Sequence, residues 1–163
     1  MWFMALIQLA VPLLLIGVIA FTRQPSRARW FVTVLAFGMV IGYLLISARW
    51  DVLSLYLRPA IAVSFVAACA CGYRRIRAPE NAAGRLQELA VWTINVGLIV
   101  LMSGFLCFSL RGLVTPEGTV DLASPLRGKY VVLNGGGSPF TNAHFRRPPQ
   151  DYALDLLGVN AFG

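Results

Sequence analysis

Histidine, cysteine and carboxylate side chains carry most metal and nucleophile chemistry, and this sequence brings few of them near one another. Its single histidine, His144, ends the run Asn142-Ala143-His144, with Asp151 and Asp155 downstream. A histidine and a carboxylate can hold zinc, whose catalytic sites take three protein ligands and keep a fourth position for water. A lone histidine is more often only a surface residue, and one histidine gives no spacing from which to claim a serine-histidine-aspartate arrangement. Cys69 and Cys71 stand one residue apart, and Cys107 stands alone. Neither zinc-finger nor thioredoxin spacing is present, and cysteine in apolar surroundings packs as a small hydrophobe. Gly135-Gly136-Gly137 lacks the lysine and the hydroxyl residue of a phosphate loop, so it reads as a turn.

The elements that must position these residues are strongly apolar. The chain has 163 residues, 58% of them apolar and 13% charged, about half the charged share of a soluble domain. Mean hydropathy is +0.70. This argues against a disordered chain, a coiled coil or an ordinary water-soluble enzyme. A helix needs roughly 20 apolar residues to cross a hydrocarbon core of about 30 Å. Four runs meet this: 1–21, 30–48, 52–73 and 89–110. The expected fold is therefore a mainly α membrane protein, with a four-span region over 1–111 and an exterior β-rich tail over 112–163.

The third run carries Arg58 and Pro59 near one end. There an arginine can snorkel to the interface, and proline in a first helical turn gives up no hydrogen bond. A counter-ion or substrate clamp is the alternative role for Arg58, but no span contains an acidic partner. Gln8 and Asn95 suit hydrogen bonds between helices. Gly38, Gly42, Gly97 and Gly104 offer small surfaces for helix contact. The first run has no basic segment before it and no convincing cleavage site, so it reads as an uncleaved anchor.

Basic residues set the expected orientation. Arg23, Arg27 and Arg29 lie between the first two runs, and Arg74, Arg75, Arg77 and Arg85 between the last two. The middle loop holds Arg49 alone. The positive-inside rule then puts the longer loops in the cytoplasm and both termini outside. Half of the 14 basic residues behind the net charge of +7 are thereby explained, and nucleic acid is not an expected partner. The lipid bilayer is.

Beyond Arg111 the chain turns mixed in character. Arg127, Lys129, Arg146 and Arg147 balance Glu117, Asp121, Asp151 and Asp155. Tyr130-Val131-Val132-Leu133 is a β-prone run closed by Asn134-Gly135-Gly136-Gly137-Ser138-Pro139, and 152–157 alternates well enough for a second strand. About fifty residues with two or three strands make a poor independent core.

The ordered series Asp121-Leu122-Ala123-Ser124-Pro125-Leu126-Arg127-Gly128-Lys129-Tyr130 to Gly136, Ser138-Pro139-Phe140-Thr141-Asn142-Ala143-His144, and Tyr152-Ala153-Leu154-Asp155-Leu156-Leu157 resembles the entry of a lysostaphin-type zinc metallopeptidase domain. It is similar to the membrane-anchored branch of that family, which the four runs in front also fit. The resemblance implies an antiparallel β-sheet peptidase in the bacterial inner membrane, facing the wall and cutting peptides of peptidoglycan. It also implies zinc held by an early histidine and aspartate and by one histidine of a later His-x-His, whose other histidine assists catalysis. Asp155 falls on the aspartate ligand. Four residues before it stands Asp151 rather than histidine, and His144 takes the histidine's place.

No His-x-His occurs in the sequence. The resemblance therefore implies no catalytic residue here, and a chain inactive in isolation, either a fragment or a remnant that keeps the anchor. The alternative is a non-enzymatic scaffold holding another protein, with a small transporter behind it.

Overall fold

The structure, a computed structural model, describes residues 2–77, 84–111, 114, 126–150 and 153–160. Its elements are α1 (Trp2–Phe21), α2 (Arg27–Ser47), a 3-10 turn (Trp50–Val52), α3 (Leu57–Tyr73), α4 (Arg85–Arg111), β1 (Tyr130–Asn134) and β2 (Asp155–Gly158). The protein is mainly helical with one small sheet.

Local chemistry sets the helix ends. Ser26 caps α2, its Oγ accepting the Arg29 N–H at 3.2 Å, so α2 opens three residues before the uncharged run does. α4 likewise begins at Arg85 rather than residue 89. α3 starts at Leu57, not residue 52. Pro59 has no N–H for the Leu55 carbonyl and its ring would crowd that group, which confines it to the first helical turn. Pro12 lies inside α1, where it leaves the Gln8 carbonyl without its helical donor.

The helices pair by alternate membership, α2 mainly with α4 and α1 mainly with α3. Both pairs run parallel. Along α2 and α4 the contacts climb in step: Arg29 to Glu88 at 3.1 Å, Thr33 to Asn95 at 3.1 Å, Met39 to Ser103 at 3.8 Å, and Tyr43 to Phe105 with ring centroids 5.6 Å apart. One end of the bundle gathers Gln24, whose carbonyl accepts the Arg77 N–H at 3.1 Å, and the edge-on rings of Trp30 and Tyr73. At the other end a core of Ile41, Trp50 and Ile61 is packed by Leu45, Leu55 and Phe65.

Three glycine expectations need correction. A Cβ on Gly42, Gly97 or Gly104 would meet nothing within 4 Å, so no helix closes on those positions. The close approach is instead at Gly72, where a Cβ would stand 2.5 Å from the Ile19 carbonyl oxygen. Gly38 does serve contact, against the Phe65 ring. Asn95 also bonds between helices as expected, whereas the Gln8 Nε2 has no partner among the described residues.

α2 and α4 are long and apolar enough to cross a membrane. α3 has 17 residues, about 26 Å at 1.5 Å per residue. It and the described Leu6–Phe21 part of α1 are shorter apolar helices. Much of the apolar side-chain surface points outward, including Leu14, Val63, Val66, Ile94 and Val100.

β1 and β2 form an antiparallel hairpin that pairs Tyr130 with Gly158 and Asn134 with Asp155, with an irregularity between Val132 and Asn134. Phe140, in the connecting loop, anchors the hairpin edge-on to Phe105 at 5.3 Å and against Phe108 at 6.0 Å, both on α4. The hairpin thus sits at the bundle end that holds Trp50.

Candidate metal site

Asp155 opens β2 and His144 lies in the loop before it, so their meeting depends on how that loop folds. Its bends are built from short polar side chains. The Ser138 carbonyl accepts the N–H groups of Thr141 and Asn142, and the Ser138 Oγ accepts the Phe140 N–H at 3.2 Å. Asn142, 2% exposed, donates through Nδ2 to the Gly136 carbonyl at 3.0 Å and accepts the His144 N–H on Oδ1 at 2.9 Å. An asparagine turn of this kind fixes the backbone two residues on, here at the histidine.

The result brings the two expected site residues together. His144 Nε2 lies 3.2 Å from each Asp155 oxygen. The Asn134 Nδ2 donates to Asp155 Oδ2 at 2.6 Å. The Asn134 bond and then the His144 bond hold the Asp155 carboxyl below its ordinary range, against an opposing effect of desolvation. The electrostatic effects of His144 and Arg49 act in the same direction.

The donor pair matches in distance one edge of a zinc tetrahedron, two of the three protein ligands that a catalytic site takes. Two ligand atoms on a tetrahedral zinc, each about 2.1 Å from the ion, lie roughly 3.4 Å apart. The observed 3.2 Å is close to that edge. An imidazole nitrogen and a carboxylate oxygen are ordinary zinc ligands, and Asn134 stands where a second partner orients the carboxylate. Among the described residues no group of three or more histidine, cysteine or carboxylate side chains could hold a metal. Asp151, also considered from the sequence, lies outside the described residues. Cys69, Cys71 and Cys107 are free thiols on α3 and α4.

Sequence reasoning missed Asn134 and Arg49. Aligning the two β-prone runs as an antiparallel pair would have set Asn134 opposite Asp155. Nothing local marks Arg49, on the α2–α3 connection, whose charge acts on Asp155. Arg58 meets neither ligand, and its Nη2 donates to the Leu45 carbonyl near the end of α2. No protein-family model, curated protein or solved structure matches this chain.

Proposed function

We propose that this chain is the membrane anchor and the first part of the zinc site of a lysostaphin-type metallopeptidase that hydrolyses peptide bonds of peptidoglycan. The observation that carries the reading is the His144–Asp155 pair, separated by a distance near a zinc-ligand edge and braced by Asn134. Zinc bound there would supply an acidified water and polarise a scissile carbonyl. His144 and Asp155 would hold the metal, and Asn134 would keep the carboxylate turned toward it. His144 is the only histidine in the sequence, and the pair supplies two of the three protein ligands that a catalytic zinc site takes.

The anchor is read as four spans, with both termini on the exterior side of the bacterial inner membrane. Two lines of support exist. Only 6% of the apolar window of α4 is buried within the protein, unlike the mostly buried core helix of a soluble domain. An exposed apolar belt of this kind calls for lipid rather than water. The alternation of bundle ends also agrees with the arginine distribution, since Arg23, Arg27, Arg74 and Arg75 flank the end away from the hairpin.

The test is zinc titration of the purified full chain in detergent. A single weak site, abolished by His144→Ala and by Asp155→Asn, is expected. Zinc uptake that ignores both substitutions would refute the reading. It would leave the non-enzymatic scaffold as the alternative.

A further inference from the structure

A cavity of about 280 Å³ lies between the hairpin and the α2–α3 corner. Its floor is the end of α2 and the turn after it, with Ser47, Arg49 and Trp50; Arg58 enters from α3. Val131, Leu133, Gly135 and Thr141 close it from the hairpin side. Among the described residues, its charged lining residues are these two arginines. The Ser47 hydroxyl has no hydrogen-bond partner among the described residues. Arg58 uses Nη2 on the Leu45 carbonyl, one of five N–H donors that a guanidinium carries. The cavity adjoins the His144–Asp155 pair: Leu133 and Gly135 line it on either side of Asn134, which donates to Asp155.

The geometry points to this cavity as an anion subsite that takes the carboxylate end of a short peptide. Guanidinium groups match a carboxylate with paired donors, and a partly enclosed setting strengthens such bonds. The volume is slightly below the roughly 300 Å³ at which pockets begin to enclose whole small ligands. It suits a chain end with a small side chain, while the rest of the peptide runs past Asn134 toward His144 and Asp155. Preference for an anion follows from the cavity alone. The choice of a peptide carboxylate rests on the peptidase reading.

The experiment titrates the full chain in detergent, with a chelator present, against N-acetyl-alanyl-alanine, its C-terminal amide and inorganic phosphate. The free acid is expected to bind about tenfold or more tightly than the amide, the worth of a charge-assisted hydrogen bond. Phosphate is expected to displace it. Arg49→Gln and Arg58→Gln should each weaken the acid by a similar factor. Arg58→Lys, which keeps a donor for Leu45, covers the case in which Arg58→Gln fails to fold, and should give an intermediate loss. Equal binding of acid and amide, binding of phosphate alone, no binding of any probe, or indifference to Arg49→Gln and Arg58→Lys would each overturn the assignment. Zinc titration of the same preparation without chelator separates the two readings. Zinc uptake without dipeptide binding defeats only the subsite, and dipeptide binding without zinc uptake defeats only the peptidase.

Discussion

The helical bundle and the hairpin solve the same problem with opposite means. In the bundle, backbone polar groups are satisfied within each helix and specificity comes from a few interior contacts, such as Gly72 on Ile19 and Asn95 on Thr33. In the hairpin two short strands bury little. Order comes from side-chain-to-backbone bonds at Ser138 and Asn142 and from one aromatic anchor, Phe140. The bundle can lose a hydrogen bond and keep its shape. The hairpin cannot, because polar bonds are most of what shapes it.

That contrast predicts a graded series of effects. The largest belongs to the bundle: Gly72→Val would drive a side chain into the Ile19 backbone, which cannot yield as a side-chain end can. A loss of about 3 kcal/mol or more is expected, at the upper end for overpacking, read as a lowered unfolding midpoint in detergent. Unchanged stability would mean that α1 and α3 are not packed this closely. Next is Asn134→Ala, which should weaken zinc binding about 10–100-fold, as loss of a ligand's orienting partner does, with bundle unfolding unaltered.

Phe140→Ala comes third. It removes two ring contacts, each worth about 0.5–1.5 kcal/mol, and should raise hydrogen exchange across 130–134 while α2 and α4 keep their protection. If the helices lose protection as well, the two regions are one cooperative unit and the contrast fails. Asn95→Leu is expected to cost only about 0.6 kcal/mol, the average for an interhelical hydrogen bond in a membrane bundle. The smallest effect is one of pH. Asp155 has a lowered folded pKa, so its contribution to the hairpin is complete above the ordinary aspartate range. It is lost as pH falls through the lower folded value. Exchange in β1 should rise only in that acid window, and Asp155→Asn should remove the dependence.

The sequence made the helices legible because runs without charge are read directly from residue types. It misjudged their ends, since absence of charge reports what a segment can dissolve in, whereas helices end at caps and prolines. Ser26 and Pro59 moved two starts in opposite directions for that reason. The glycines misled too: a small residue permits close approach without causing it, and among the described residues Gly72 meets backbone where Gly42, Gly97 and Gly104 meet open space. β1 was readable as a β-branched run before a glycine turn. The meeting of His144 with Asp155 was suggested by family resemblance, not by spacing, because ten intervening residues leave it to the Ser138 and Asn142 bends. The cavity beside them joins residues some eighty positions apart, and no local pattern announces it.

The stepwise contacts between α2 and α4 have a mechanical consequence. A slide of α4 by one turn, about 5.4 Å, would part Arg29 from Glu88, Thr33 from Asn95 and Tyr43 from Phe105 together, so the pair behaves as a rod with no slack. Phe105 and Phe108 near the far end of that rod hold Phe140. A push on Glu88 would therefore reach the hairpin as displacement rather than dissipate as local bending.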